Sequence, residues 1–129
     1  MRRTGGVSWE LELSPSWSSQ TDEECESIYS PNGVGALQIS TARKDGGVTD
    51  DDLEDFAENE NDADAALNVT QLGAFRGIEL SYDADGTHWR RWYLRHGPVA
   101  LFATYNCSID DKGKEDRDVN QMLSSLRFK

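Results

Sequence analysis

Residues 75–108, FRGIELSYDADGTHWRRWYLRHGPVALFATYNCS, decide the fold. Three runs, Phe75–Tyr82, Thr87–His96 and Val99–Cys107, are separated by Asp83-Ala84-Asp85-Gly86 and by Gly97-Pro98. The runs are enriched in β-branched and aromatic residues, and Asp-Gly and Gly-Pro are turn dipeptides. The stretch therefore predicts an antiparallel meander of three strands.

The register of the first hairpin depends on which residues must share a face, because a one-residue slip moves every side chain to the other side. A two-residue Asp85-Gly86 turn would set Ile78 opposite Tyr93 and Leu80 opposite Arg91, mixing charge into the apolar set. A three-residue loop with Gly86 left-handed would pair Ile78 with Trp92, Leu80 with Arg90 and Glu79 with Arg91. The bulged form is expected, since it gathers Ile78, Leu80, Trp92, Leu94, Val99, Leu101 and Ala103 on one face. Glu79, Trp89, Arg91, Tyr93, Arg95, Phe102 and Thr104 then share the other. Trp, Tyr and Arg are the usual anchors of interfaces. Glu79, Trp89, Arg91, Tyr93, Arg95 and Phe102 are accordingly candidate binding residues. The bland alternative is that a helix covers this face and the Arg stems lie along the rings.

Working outward, Val7, Trp9, Leu11 and Leu13 alternate with Ser8, Glu10 and Glu12, the period of a half-buried strand. It ends at Ser14-Pro15, where proline removes a ladder donor. Further strands are expected at Glu24–Ser30, closed by Pro31-Asn32-Gly33, and at Gly35–Thr41. At Thr49 the period changes. Thr49 can cap a helix whose first turn is Asp50, Asp51 and Asp52, acids favoured beside the positive helix N-terminus. Leu53, Phe56 and Ala57 form its narrow apolar stripe, and it is expected to fray over Asn59–Asp64. A short strand at Val69–Leu72 precedes the meander. The last helix carries Val119, Met122, Leu123 and Leu126 at i, i+3, i+4 and i+7. The expectation is one α+β domain over residues 1–129. It is a largely antiparallel sheet of six or seven strands flanked by two helices, at about 50–60 and 116–127, in α/β/α layers.

The charge is uneven. The 129 residues hold 24 acids against 13 Lys and Arg, a net charge of −11. Residues 50–70 alone carry 9 acids and no base, whereas residues 71–129 net +1. Asp outnumbers Glu and Arg outnumbers Lys, as in salt-adapted proteins, but there the acids would be spread over the whole surface. Nucleic acid and anionic lipid attract basic patches, so neither is an expected partner. A basic protein partner fits the charge better, with Asp50, Asp51, Asp52, Glu54 and Asp55 as its candidate contacts. The bland alternative is solubility alone. No run approaches the roughly 20 apolar residues of a membrane span. The N-terminus shows no apolar stretch of a secretory signal, so the expected location is cytoplasmic and Cys25 and Cys107 are expected as reduced thiols.

Catalytic patterns are weak. His88 and His96 lie on one strand about 26 Å apart at strand rise, too far to share a metal. Asp83-Ala84-Asp85-Gly86 lacks the terminal Glu of a calcium loop and is explained as a turn. Cys107 could lie opposite His88 across a hairpin, the single nucleophile-and-base pairing worth naming, although a buried structural thiol explains it better. Asn68-Val69-Thr70 and Asn106-Cys107-Ser108 match glycosylation acceptors, which have no role in a cytoplasmic protein. The carboxylates of residues 50–64 sit on an exposed element rather than in a pocket, which disfavours tuned acid–base work. No enzyme activity, metal or cofactor is expected.

The order of pieces resembles the PsbP-like fold, shared by a photosystem II extrinsic subunit, the Ran-release factor and many small bacterial proteins. The features are "SPSW" (Ser14–Trp17) after the opening strand, "GALQIS" (Gly35–Ser40), "DDLEDFA" (Asp51–Ala57), the long meander and "MLSSLRF" (Met122–Phe128). The resemblance implies a sheet flanked by helices in a small bacterial or archaeal member. It also implies a protein that binds partners rather than one that catalyses, and it transfers no site residue. The functional expectation is a non-enzymatic protein-interaction domain, for instance an inhibitor or immunity-type protein that masks a basic partner. The alternative is a small-ligand binder or enzyme using the Arg and aromatic face.

Overall fold

A two-residue Asp85-Gly86 turn closes the central hairpin in the computed structural model, which describes residues 2–6, 8–22, 25–31, 33–60 and 66–129. Asp85 (φ 53°) and Gly86 (φ 78°) are both left-handed, the type I′ geometry whose twist matches that of antiparallel strands. Ile78 therefore pairs with Tyr93, Glu79 with Trp92 and Leu80 with Arg91. The bulged register expected from the sequence is overturned. That expectation set apolar segregation above turn chemistry, but each cation finds its own cover. Arg91 lies over the rings of Trp89 and Tyr82 on one face, and Arg90 is buried on the other among Glu79, Asp116 and Asn120. With neither charge left bare, the favoured turn decides.

Five strands come first: β1 (Arg3–Gly5), β2 (Trp9–Glu12), β3 (Ser18–Thr21), β4 (Glu26–Tyr29) and β5 (Gly35–Arg43). Helix α1 (Asp50–Glu60) follows, then β6 (Ala66–Leu72), β7 (Phe75–Ala84), β8 (Thr87–His96) and β9 (Val99–Ser108). A 3-10 turn at Ile109–Asp111, helix α2 (Asp116–Ser124) and β10 (Arg127–Phe128) complete the chain. Seven strands form one sheet in the order β3-β4-β5-β9-β8-β7-β6, and β1-β2-β10 form a second. Every pairing among the described residues is antiparallel. The fold is α+β, as expected. The part of the expected fray past Glu60, the Glu24 strand start and Asn32 of the following turn lie outside the described residues.

Each face of the large sheet has its own cover. On one, α2 and β2 bury Trp9, Leu11, Val119, Met122, Leu123 and Leu126 against Ile28, Leu37, Phe75, Trp92, Leu94 and Leu101. Polar bonds pin α2 there: Tyr105 donates to Glu115 Oε1 (2.6 Å) and Trp17 Nε1 to Asp118 Oδ2 (3.2 Å). On the other, α1 and Val48 bury a smaller set, Leu53, Ala57, Leu80, Tyr93 and Ala100. α1 lies over the β7–β8 side of that face. Gly77 lets it approach, since a Cβ there would stand 2.9 Å from Leu53 Cδ1 and 2.0 Å from the Tyr93 carbonyl oxygen.

Candidate functional site

Alternation along a strand places Trp89, Arg91, Tyr93 and Arg95 of β8 on one side. Phe102 and Thr104 of β9 join them through the pairs Tyr93–Phe102 and Arg91–Thr104. Gln38 and Ser40 of β5 continue the rows opposite Thr104 and Phe102. This is the face on which α1 packs, but α1 covers only part of it.

Under the helix, Tyr93 is 2% exposed. Its ring meets Phe102 edge-on at 6.0 Å, and Phe102 meets Phe56 of α1 at 5.2 Å with 85° between the planes. Phe56 itself stays 38% exposed. Beyond that aromatic step a groove of about 400 Å³ opens, with Phe56 and Phe102 as a wall, Gln38, Ser40, Ala42 and Thr104 along the sheet, and Cys25 at its border. The volume falls in the range of small-ligand and side-chain pockets.

Farther along the face, Arg91 Nε donates to the Tyr82 hydroxyl at 2.8 Å. The guanidinium stands 5.1 Å from the Trp89 ring centroid, and Tyr82 and Trp89 lie near parallel, 13° apart. Burial alone would lower the Arg91 pKa, but the Tyr82 bond and the nearby tyrosines outweigh it and raise it. The cation is therefore fixed in place by its own aromatic neighbours.

The five acids of α1 divide by role. Asp52 accepts from the Thr49 backbone N–H (2.9 Å) while Thr49 Oγ1 accepts from the Asp52 N–H (3.2 Å). This is a reciprocal capping box. Lys44 Nζ also reaches Asp52 at 2.8 Å and, with the cap, holds its carboxyl below the usual aspartate range. Asp50 accepts from Arg95 Nε at 2.7 Å, which lowers the acid's pKa and raises the base's. Asp51, Glu54 and Asp55 are exposed.

The structure thus separates the residues that the sequence had grouped. Trp89, Arg91 and Phe102 stay together, half-buried, on the partly open face. Tyr93 belongs to the core beneath α1, and Arg95 is an anchor for the helix rather than a free cation. Glu79 leaves the set altogether. With the shorter turn it faces α2, where it accepts from Trp92 Nε1 (2.7 Å) and Arg90 (3.2 Å). The covering helix is α1, and it covers half of what the bland alternative required. Sequence reasoning missed Phe56, Gln38, Ser40 and Tyr82 as members of the site. The alternation of Gln38 and Ser40 with buried Leu37 and Ile39 was a usable signal that β5 shows a polar side.

His88 does lie opposite Cys107, and its Nδ1 is 2.6 Å from Asp83 Oδ1. Burial, aided by Asp111, Glu115 and Asp116, pushes the Cys107 thiol above its usual pKa, although a bond with Tyr105 opposes this. The thiolate that nucleophilic chemistry needs is disfavoured there. Among the described residues, no group of three or more His, Cys, Asp and Glu is placed to hold a metal ion. No described helix is long and apolar enough to cross a membrane.

No family profile and no curated protein matches the sequence. Solved structures do match. The mycobacterial protein LpqN, described as involved in cell envelope biogenesis of Mycobacterium tuberculosis, aligns with a TM-score of 0.67 and 14% identity over 98% of this chain and 90% of that one. A Bacteroides thetaiotaomicron protein aligns at 0.67 and 16% identity over 94% of this chain, which spans 45% of its length. At these identities the likeness is one of fold. PsbP of the cyanobacterium Synechocystis is also a neighbour, at TM-score 0.47 and 12% identity over 99% of this chain and 92% of that one.

Proposed function

We propose that this chain is a non-enzymatic protein-interaction domain that binds a basic partner through the exposed side of α1 and the adjoining open half of the sheet. One observation carries the reading. A groove of about 400 Å³ stands directly beside a helix with seven acids and no base, so an aromatic wall and a negative flank belong to one surface. Charges of one sign steer encounter with the opposite sign, while aromatic anchors slow dissociation. The likeness to LpqN supports the architecture and names no partner for this chain. A reducing, cytoplasmic setting belongs to the same reading and is supported by the two free cysteines.

The test is retention of proteins from native extract on the immobilised chain and on two variants. Asp51→Asn/Glu54→Gln/Asp55→Asn removes the exposed acids and leaves Asp50 and Asp52 in place. Thr104→Trp fills the groove. Basic proteins released by salt from the parent chain, and retained by neither variant, are the expected result. Equal retention on all three would sink the reading. A second reading, a small-ligand site, is favoured by the groove's volume and its polar floor of Gln38, Ser40 and Thr104. It predicts that small-molecule binding raises the melting temperature of the parent chain and not of Thr104→Trp.

A further inference from the structure

We propose that the free edge of β6 accepts a basic, extended segment of a partner protein as an added strand. β6 ends the seven-stranded sheet, and among the described residues it pairs only with β7. Its seven residues, ALNVTQL, contain no charge, proline or glycine. Natural edges are usually blunted by lysine, proline or a bulge, and an edge without them offers unpaired N–H and C=O groups to another strand. Val69, in the middle of this edge, is 88% exposed. It borders a second cleft of about 120 Å³, between α1 and the sheet edge, which Leu53, Glu54 and Ile78 also line. An apolar residue laid beside Val69 would close that cleft.

Charge selects the occupant. α1 runs alongside the cleft with seven acids and no base. Asp50 and Arg76 also line the cleft but pair with each other, and Asp50 with Arg95 besides, so the lining as a whole carries the net negative charge of Glu54. A second copy pairing β6 to β6 would bring two such helices toward each other, which like charge disfavours. A partner strand with Lys or Arg two residues to either side of its apolar residue places those cations on the α1 side, about 7 Å away along the strand. Main-chain bonds would supply affinity, and this apolar-and-basic spacing the specificity. The proposal rests on the reading of the chain as a protein-interaction domain but uses a surface other than the groove.

The probe is an acetylated and amidated heptapeptide, Thr-Lys-Thr-Val-Thr-Lys-Thr, titrated into the full chain. Amide hydrogen exchange and NMR shifts are the readouts. Slowed exchange over Asn68–Gln71 is expected. Binding about tenfold weaker is expected for Val69→Lys and for a peptide with Glu in place of Lys. Val69 is exposed, so its variant should keep the parent melting temperature. Two N-methylated peptides, blocked at alternate amides in either phase, should differ, because only one phase faces β6. Thr104→Trp should bind as the parent does, which separates a failure here from a failure of the groove reading. No binding at millimolar peptide would overturn the proposal, as would protection away from β6 or equal binding of both N-methylated peptides. Protection of β6 that rises with protein concentration alone would assign the edge to a second copy instead.

Discussion

Arg90 and Arg91 are adjacent in sequence and opposite in consequence. Arg90 is buried and bonds Glu79, Asp116 and Asn120 while lying 4.6 Å from the Trp92 ring centroid. Removing it takes the cation from Glu79 beneath α2, empties the space beside Trp92 and unties the helix at Asp116 and Asn120. Arg90→Ala should therefore cost about 2–4 kcal/mol, the range for breaking a buried, hydrogen-bonded charge network. Arg91 lies on the partly open face, and Arg91→Ala should stay within about 1 kcal/mol of the parent. Tyr93→Ala, by contrast, empties the space under α1 and should cost about 3–5 kcal/mol, as large-to-small core changes do. Chemical denaturation of the three single variants checks this order, and equal losses at Arg90 and Arg91 would contradict the buried network assigned to Arg90 and the partly open setting of Arg91. The thiols divide similarly. Cys25 is half-buried at the groove while Cys107 is buried with its pKa raised. Iodoacetamide should modify Cys25 in the native protein and Cys107 only after unfolding, as the mass of the labelled peptides will report. The opposite faces of Arg90 and Arg91 were legible from alternation along β8 in either register, but the partners of Arg90 were not, because Glu79 changes face when the hairpin slips and Asp116 and Asn120 come from the distant α2.

At the scale of elements, α1 shows how one acidic run can serve two ends. Thr49 and Asp52 form its capping box, and Asp50 and Asp52 tie its first turn to Arg95 and Lys44. Thr49→Ala should cost about 1 kcal/mol. The triple change at Asp51, Glu54 and Asp55 should leave the melting temperature nearly unmoved. Asp50 and Asp52 have carboxyls with folded pKa values below the ordinary range. On acidification the unfolded chain therefore takes up protons first. Stability from these pairs is present above the ordinary aspartate range and is lost as the pH falls through and below it. Asp52→Asn should flatten the fall in stability below about pH 4, as urea midpoints measured across acid pH will show. The helix and its cap could be read in advance because Thr49-Asp50-Asp51-Asp52 is a local signal. Strands β4, β5, β7, β8 and β9 were legible from alternation and turn residues. β1, β3 and β10 were not, for they are two to four residues long and largely polar, and their place is set by pairing with distant strands. The hairpin register was misjudged at Asp85-Gly86, where local turn geometry outweighed segregation of charge.

For the whole molecule, two sheet faces with unequal cover among the described residues explain why the structure both folds and leaves part of one face open. α2, the small sheet and their polar pins complete one side. The eleven-residue α1 spans too little to complete the other. The candidate face was legible as an idea, since Trp89, Arg91 and Phe102 do share it, but its floor on β5 was not. That floor depends on β5 pairing with β9 across some sixty residues of chain. The open part of this face among the described residues, with the acids beside it, is the interaction surface that we propose. The most direct measurement is the association and dissociation kinetics of a partner captured on the chain, followed against ionic strength. Asp51→Asn/Glu54→Gln/Asp55→Asn should slow association and weaken its salt dependence, while Thr104→Trp should speed dissociation. Unchanged rate constants in both variants would contradict the claim and leave the acidity as solubility alone.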